Sequence, residues 1–549
     1  MAARPPSSSR RRRPRSAAAA ALVLAGIAGA CSDSSGGEQP PATRATIPPE
    51  TAVSSPVDFS EGTATSSVPV SATAPAPSSA GTASAPSSAP SLPDAEIAFE
   101  QVADGVEGGW LTVPVDHGDP LGATLDLWVV RHRAPSGEPV GVLLANGGGP
   151  GVASSLLAAD VRSWFEEPLV ESFDIVTWDP RGTGRSGGSV DCIDDDEYDR
   201  YFASGDITPD DDAEREALVE LSRDFAESCV EAVGDVLAHL GTNNSARDMD
   251  ALRRALGQSQ VSYLGYSYGS ELGAVWATLF PDTVRAAVLD GAAHPDPDGI
   301  EPVRLQQLGF EGVFETFLAR CSANPSCAFH NDGDAEGAYD ELLARLDTDP
   351  VPGPPGRPAV NQEVAIIGII QAMYTDRRWP ALERALADAA AGDGTGLLAL
   401  RDGYYRRDPD DGSYSDLLES FQAITCADDP DRPTPDEADA EAEPLIGIAP
   451  RLFPYTTGSY TCGFFPPSAD PRVEITGERA GPIVVIGTTG DPSTPLTSSQ
   501  AMADALEGGV LVTVEANRHT AYRSGGCIDD LVHRYLIWLE VPPADTRCG

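Results

Sequence analysis

The chain has 549 residues, and 84 acidic side chains against 37 basic ones leave a net charge of −47. So acidic a protein repels nucleic acid, and a hydrophobic content of 41% excludes wholesale disorder. No run is long and apolar enough to span a bilayer, so a globular protein of several units, or one large enzyme with an insertion, is expected.

The N-terminus departs from this character. Arg10–Arg13 and Arg15 form a basic cluster, and Ala17–Ala30 is a run of small and apolar residues ending at Cys31. A basic start, a short apolar stretch and small residues before a break read as an export signal over 1–31. Ala28-Gly29-Ala30-Cys31 is similar to a bacterial lipobox, in which the cysteine carries lipid; an ordinary cleaved signal is the alternative. Residues 32–94 are rich in Ser, Ala, Pro and Thr, the composition of a flexible tether. An extracytoplasmic protein, lipid-anchored at Cys31 or secreted, is expected, touching the membrane only through that anchor.

Cysteine usage agrees with export. Setting Cys31 aside leaves Cys192, Cys229, Cys321, Cys327, Cys426, Cys462, Cys527 and Cys548. An even set in an exported chain predicts disulfides, and proximity along the chain pairs 192–229, 321–327, 426–462 and 527–548. The spacing is not that of a zinc site, so no metal is expected.

Ordered structure is expected from about 95. Leu125–Val130 alternates like a strand, and Gly141–Ala145 is a short apolar run ending in Gly147-Gly148-Gly149-Pro150-Gly151. Phe173–Trp178 is another such run, followed by Asp179-Pro180-Arg181-Gly182. Asp248–Leu256 has helical spacing, Val261–Tyr266 reads as a strand, Ser267–Phe280 as a helix stopped by Pro281, and Val284–Leu289 as a strand. Apolar strands alternating with helices predict an α/β fold with a mostly parallel sheet. The pattern then breaks. Pro302–Asn324, Tyr339–Leu346, Val364–Thr375 and Pro380–Ala390 are all helical, and strand signatures return only at Pro482–Gly487 and Val510–Val514. A last helix spans Asp529–Leu539, while 425–480 shows little periodicity. The simplest division is a core over 95–295, a helical cap over 296–424 and the rest of the core over 425–549.

Gly265-Tyr266-Ser267-Tyr268-Gly269 fits Gly-x-Ser-x-Gly between a predicted strand and a predicted helix. The turn is so tight that the residues flanking the serine must nearly lack side chains. The serine oxygen then stands at a helix N-terminus, where free N–H groups favour developing negative charge. A serine hydroxyl needs a base, and in this arrangement the acid and then the histidine follow the serine along the chain. Of seven histidines, His117, His132 and His239 precede Ser267, His294 follows a strand end, and His330 and His533 lie in helical regions. His519, just after the last strand, is the candidate base. Asp491, beyond the end of the preceding strand, is the candidate acid, with Asp290 as its rival. The oxyanion donors are expected to be the Tyr268 N–H and one from Gly149 or Gly148. The glycine run lacks the Gly-Lys-Ser/Thr ending of a phosphate loop, and the chain has no lysine, so no nucleotide cofactor is expected.

The glycine run with Pro150, Asp179-Pro180-Arg181-Gly182, the elbow at Ser267, Gly490-Asp491-Pro492 and Arg518-His519-Thr520 together resemble the α/β-hydrolase family of secreted tripeptidyl aminopeptidases. These are relatives of the prolyl aminopeptidases, and the part from about Thr425 resembles that family's TAP-like domain. The resemblance implies an α/β-hydrolase fold, a peptide substrate and hydrolysis near free N-termini through an acyl-enzyme. The prolyl relatives carry His-Gly-Gly-Pro-Gly where Gly147 stands first here, a departure from strict proline specificity.

An exopeptidase must recognise a protonated amine, and the candidate carboxylates are Asp428 and Asp429, in a loop that nearby Cys426 would fix. A carboxylesterase or lipase with the same triad is the alternative enzyme. Dehalogenases and epoxide hydrolases of this fold use a carboxylate nucleophile, which Ser267 excludes. A non-catalytic binding lipoprotein would have no need of a Ser-acid-His set.

Overall fold

The computed structural model describes residues 28–29, 96–296 and 300–549. The linker over 32–94 and the expected lipidation at Cys31 lie outside the described residues, as does nearly all of the expected export signal. Apart from a two-residue pairing of Ala28–Gly29 with Gly148–Gly149, every described strand joins one sheet.

The apolar runs form the middle of that sheet. Its strands are β1 Glu100–Ala103, β2 Val106–Pro114, β3 Thr124–His132, β4 Gly141–Asn146, β5 Phe173–Trp178, β6 Val261–Tyr266, β7 Val284–Asp290, β8 Ile483–Thr488, β9 Gly509–Val514 and β10 Thr546–Cys548. They lie side by side as β10-β9-β8-β7-β6-β4-β5-β3-β2-β1. From β10 to β5 neighbouring strands are parallel, whereas β3 pairs antiparallel with β5 and β2, and β2 with β1. Residues of β6 and β8 are buried throughout, because helices cover both faces of a parallel sheet. The chain leaves β4 toward β5 on one side and returns as β6 on the other. That reversal opens a crevice at the carboxyl ends of β4 and β6, where Asn146 pairs with Gly265.

Among the described residues, the helices of ten residues or more are α1 Asp212–Val233, α2 Thr242–Ala255, α3 Tyr268–Leu279, α4 Ile300–Ala323, α5 Ala335–Thr348, α6 Gln362–Met373, α7 Trp379–Ala390, α8 Thr395–Tyr404, α9 Leu417–Asp428, α10 Leu496–Ala505 and α11 Cys527–Trp538. None is long and apolar enough to cross a membrane. One face of the sheet packs against α11 and the short helices that precede β5. The larger core on the other face joins α1, α2, α3 and α10 to the inserted helices. The insertion between β7 and β8 is helical as expected, but the expected boundary at 425 falls inside α9. Helix α2 begins at Thr242, ahead of the expected Asp248. Its first turn, Thr242-Asn243-Asn244-Ser245, is buried and polar, and is held by Asp428 and the Pro471 carbonyl instead of by apolar packing.

Disulfides join Cys192–Cys229, Cys321–Cys327, Cys426–Cys462 and Cys527–Cys548, the pairs expected from locality. The Asp179-Pro180-Arg181-Gly182 stretch follows β5 and anchors the crevice. Arg181 is fully buried. Its Nε and Nη2 donate to the two Asp248 oxygens at 2.8 Å, and its remaining N–H groups reach the carbonyls of Pro114, Val115 and His239. Burial alone would raise the Asp248 carboxyl, but Arg181 and His117 hold it below its ordinary value.

Candidate active site

Ser267 sits between β6 and α3 at φ 56°, ψ −124°, a region rarely adopted by residues with side chains. Its flanking glycines are required by contact. A Cβ on Gly265 would lie 2.2 Å from the Gly269 carbonyl oxygen, and one on Gly269 would lie 2.7 Å from that of Asn146. Gly265→Ala is therefore expected to lose at least ~1–3 kcal/mol of stability, along with turnover of any substrate. Chemical denaturation and a kinetic assay check this; wild-type stability would show that the elbow relaxes.

Two chain segments converge on the serine at the end of β7. The Ser267 N–H donates to the Asp290 carbonyl at 2.9 Å. The next residue, Gly291, lies under the His519 ring, so that a Cβ there would be 3.1 Å from the imidazole Cε1. His519 Nδ1 is 2.9 Å from both Asp491 oxygens. The Ser267 hydroxyl and His519 Nε2 are both buried without a hydrogen-bond partner among the described residues. Asp491 Oδ1 also accepts the N–H groups of Ser493 and Thr494. The Thr494 hydroxyl donates to the Gly291 carbonyl at 2.9 Å and stands 3.3 Å from His519 Nδ1.

Asp290, the rival acid, does a different job. Its carboxylate accepts the N–H groups of Ala521 and Tyr522, both at 2.8 Å, and so holds the loop that carries His519. Burial pushes this carboxyl up to about 6. Three of the other histidines are engaged elsewhere: His117 with Asp248, His330 with the Cys321 carbonyl, and His533 with the Tyr522 hydroxyl.

The glycine loop after β4 meets the elbow. A Cβ on Gly148 (φ 97°) would lie 3.0 Å from the Ser267 Cβ and 3.5 Å from the Tyr268 nitrogen. The Gly148 N–H is committed to the Asn146 side chain at 2.9 Å. Tyr268 opens α3, where N–H groups lack helical acceptors.

Asp428 and Asp429, the expected amine site, each accept hydrogen bonds from neighbouring groups. Both Asp428 oxygens accept from Thr242, through its N–H and its hydroxyl, at 2.6 Å. The Asp429 carboxylate accepts the Asp431 N–H. These groups tie the end of α9 to α2 and shape the loop beyond it.

Sequence reasoning missed Gly291 and Tyr374, and met Thr494 only as part of the Gly490-Asp491-Pro492-x-Thr494-Pro495 motif, without a role. Tyr374 ends α6 in the cap. Its carbonyl accepts the His519 N–H at 3.0 Å, and its ring packs edge-on against the imidazole with centroids 5.4 Å apart. Thr375 forms an antiparallel bridge with Arg518. Only Thr494 carried a signal: an Asp followed two and three residues later by Ser and Thr is a side-chain-to-backbone turn.

A mostly parallel sheet with a serine elbow and a histidine-bearing loop at its carboxyl edge defines an α/β hydrolase. Residues 141–337 match a family profile described as the alpha/beta hydrolase fold, and residues 454–548 match one described as TAP-like protein. The chain is 35% identical over 459 residues to serine protease Hip1 of Mycobacterium tuberculosis, covering 80% of this chain and 86% of that protein. It is 34% identical over 455 residues to carboxylesterase B of the same organism, covering 80% and 85%. It is also 28% identical over 459 residues to the tripeptidyl aminopeptidase of Streptomyces lividans, covering 81% and 84%. The chain belongs to the TAP-like family of α/β-hydrolase serine hydrolases.

Proposed function

We propose that this chain is a serine exopeptidase that removes short peptides from free N-termini. The observation that carries the reading is the pairing of His519 Nδ1 with Asp491, which leaves Nε2 partnerless at the β7 end where Ser267 also docks. Ser267 attacks the scissile carbonyl while His519 takes its proton and passes it to the leaving amine. Asp491 holds the ring orientation and stabilises the imidazolium. The N–H groups of Tyr268 and Gly149 receive the oxyanion, and water then hydrolyses the acyl-enzyme with His519 again as base.

Asp491→Asn keeps the shape but not the charge that favours imidazolium, so kcat is expected to fall on the order of 10⁴-fold. Steady-state kinetics check this; a near-normal rate would remove Asp491 from the triad. The peptidase assignment draws on the relatives named serine protease and tripeptidyl aminopeptidase. A relative of nearly equal identity named carboxylesterase B supports the second reading, an esterase with the same triad. Free-amine peptide anilides, their N-acetylated forms and short-chain esters separate the two. A preference for esters over every peptide would sink the exopeptidase.

Four disulfides fit an oxidising compartment, and the segment ending at Cys31 fits a lipid anchor. Mass spectrometry of the mature N-terminal peptide tests the anchor; an unmodified or absent Cys31 would refute it.

A further inference from the structure

Asp290 presents two hydrogen-bonding ends to two different members of the candidate triad. Its main chain meets the nucleophile, because the Asp290 carbonyl accepts the Ser267 N–H at 2.9 Å. Three residues on, the Ala293 N–H donates to the Ser270 hydroxyl at 2.9 Å, and that hydroxyl donates in turn to the Ser267 carbonyl. Its side chain meets the base. The carboxylate accepts the Ala521 N–H at 2.8 and 3.1 Å on its two oxygens, and the Tyr522 N–H at 2.8 Å. The neighbouring Gly291 carbonyl takes the Thr494 hydroxyl at 2.9 Å, from the loop of Asp491.

The histidine loop depends on that grip. Thr520, between His519 and the clamped amides, has φ 61°. This is the left-handed region, where a β-branched side chain is strained. Such a conformation persists only where its surroundings over-determine it. Gly291 leaves no slack beneath: a Cβ there would lie 3.0 Å from Thr520 Cγ2 and 3.1 Å from His519 Cε1. The clamp calls for an ionised carboxylate, which accepts without donating and whose bonds to N–H groups are roughly twice as strong as neutral ones. A proton would turn one of its oxygens into a donor aimed among N–H groups. Asp290 is fully buried, and burial works against its charge. The titratable groups that face it are Arg518 and His519 on the loop, whose positive charge favours the carboxylate, and Tyr266 on β6.

We infer that Asp290 is a positioning residue for the reaction: its carbonyl and its ionised carboxylate keep His519 in register with Ser267, so that catalysis, and not substrate binding, depends on its charge. This role rests on the triad of Ser267, His519 and Asp491 proposed above, and is the same for a peptide or an ester substrate. Asp491 sets which way the imidazole faces, whereas Asp290 sets where the loop that carries it stands. The sign with pH follows. Burial places the Asp290 carboxyl at about 6, so above that value it is charged and the loop is held. Below it the carboxyl takes a proton, the bonds from Ala521 and Tyr522 weaken, and turnover falls.

The test compares wild type with Asp290→Asn in two ways: steady-state kinetics on a free-amine tripeptide anilide and a short-chain ester, and the rate at which a fluorophosphonate labels Ser267. Asparagine keeps the shape and one acceptor oxygen, but turns N–H groups toward the loop much as the protonated acid would turn its O–H. Per labelled site, kcat and the labelling rate are expected to fall together by on the order of 10²-fold with KM unchanged, the cost of a misplaced catalytic group. The acid side of the kcat/KM profile is expected to be one proton less steep than in wild type. A merely structural role would lower the fraction of sites that label, and leave the kcat of those sites and their pH profile as in wild type. That result, or a loss confined to KM, overturns the positioning role. Should Asp290→Asn fail to fold, hydrogen exchange in wild type decides. Protection of the Ala521 and Tyr522 amides is expected to drop as pH falls through about 6, while that of the Ser493 and Thr494 amides, held by Asp491, stays. Protection of all four that is constant with pH overturns the role and leaves the triad standing. If the fluorophosphonate does not label Ser267 in wild type, the triad falls and the role of Asp290 with it.

Discussion

Replacing Ser267 by alanine is expected to lower kcat on a free-amine tripeptide anilide by on the order of 10⁵–10⁶-fold, with stability unchanged to within ~0.5 kcal/mol. The two halves of that expectation have separate causes. The hydroxyl is buried without a hydrogen-bond partner among the described residues, so the fold loses no bond to them with it. Alanine meets the same φ of 56° as serine, so the strain at the elbow is unaltered. In the proposed mechanism what disappears is the atom that attacks, without which neither the imidazole nor the oxyanion donors would act on a peptide. His519→Ala should cost about as much, and the double variant little more than either single one, because the two groups work as a unit. Single-turnover kinetics beside chemical denaturation measure both halves. A Ser267→Ala enzyme retaining a hundredth of wild-type turnover would show that the nucleophile lies elsewhere.

The second large effect is on stability. Arg181→Ala is expected to destabilise the fold by about 3–5 kcal/mol, the cost of leaving a charge buried without its partner. Arg181 and Asp248 have fully buried side chains, and Arg181 also joins β2 and the segment before α2 through the carbonyls of Pro114, Val115 and His239. Such a loss is a large part of the roughly 5–15 kcal/mol that holds a typical domain together. Arg181→Lys should rescue little, since an ammonium cannot reproduce the fork that meets both Asp248 oxygens. Equilibrium denaturation decides; a loss below ~1 kcal/mol would mean that water replaces the guanidinium.

The parts of the fold legible in the sequence are those governed by local pattern. β4 to β9 read as apolar runs because a two-sided parallel sheet demands them. β2 did not, since Gly108-Gly109-Trp110 breaks its alternation and Trp110 faces outward at 45% exposure. The first turn of α2 was missed because its stability comes from Asp428, far away in the chain. The same division runs through the candidate site. Ser267, Asp491 and His519 each stand at a strand end, a position that periodicity reveals. Tyr374 and Gly291 matter through packing against His519, and no spacing reports a contact between a cap helix and a loop some 145 residues later. The partners of Asp428 were illegible for the opposite reason: an acid in a chain with 84 of them shows nothing of its contacts until the chain is folded.

The strap between the cap and the histidine loop has a bearing on how substrate enters. Tyr374 and Thr375 are bonded to His519 and Arg518 through their backbones, so lifting this corner of the cap must either break those bonds or drag the imidazole away from Ser267. The backbone bonds of the strap therefore couple the position of the cap corner to the orientation of the imidazole.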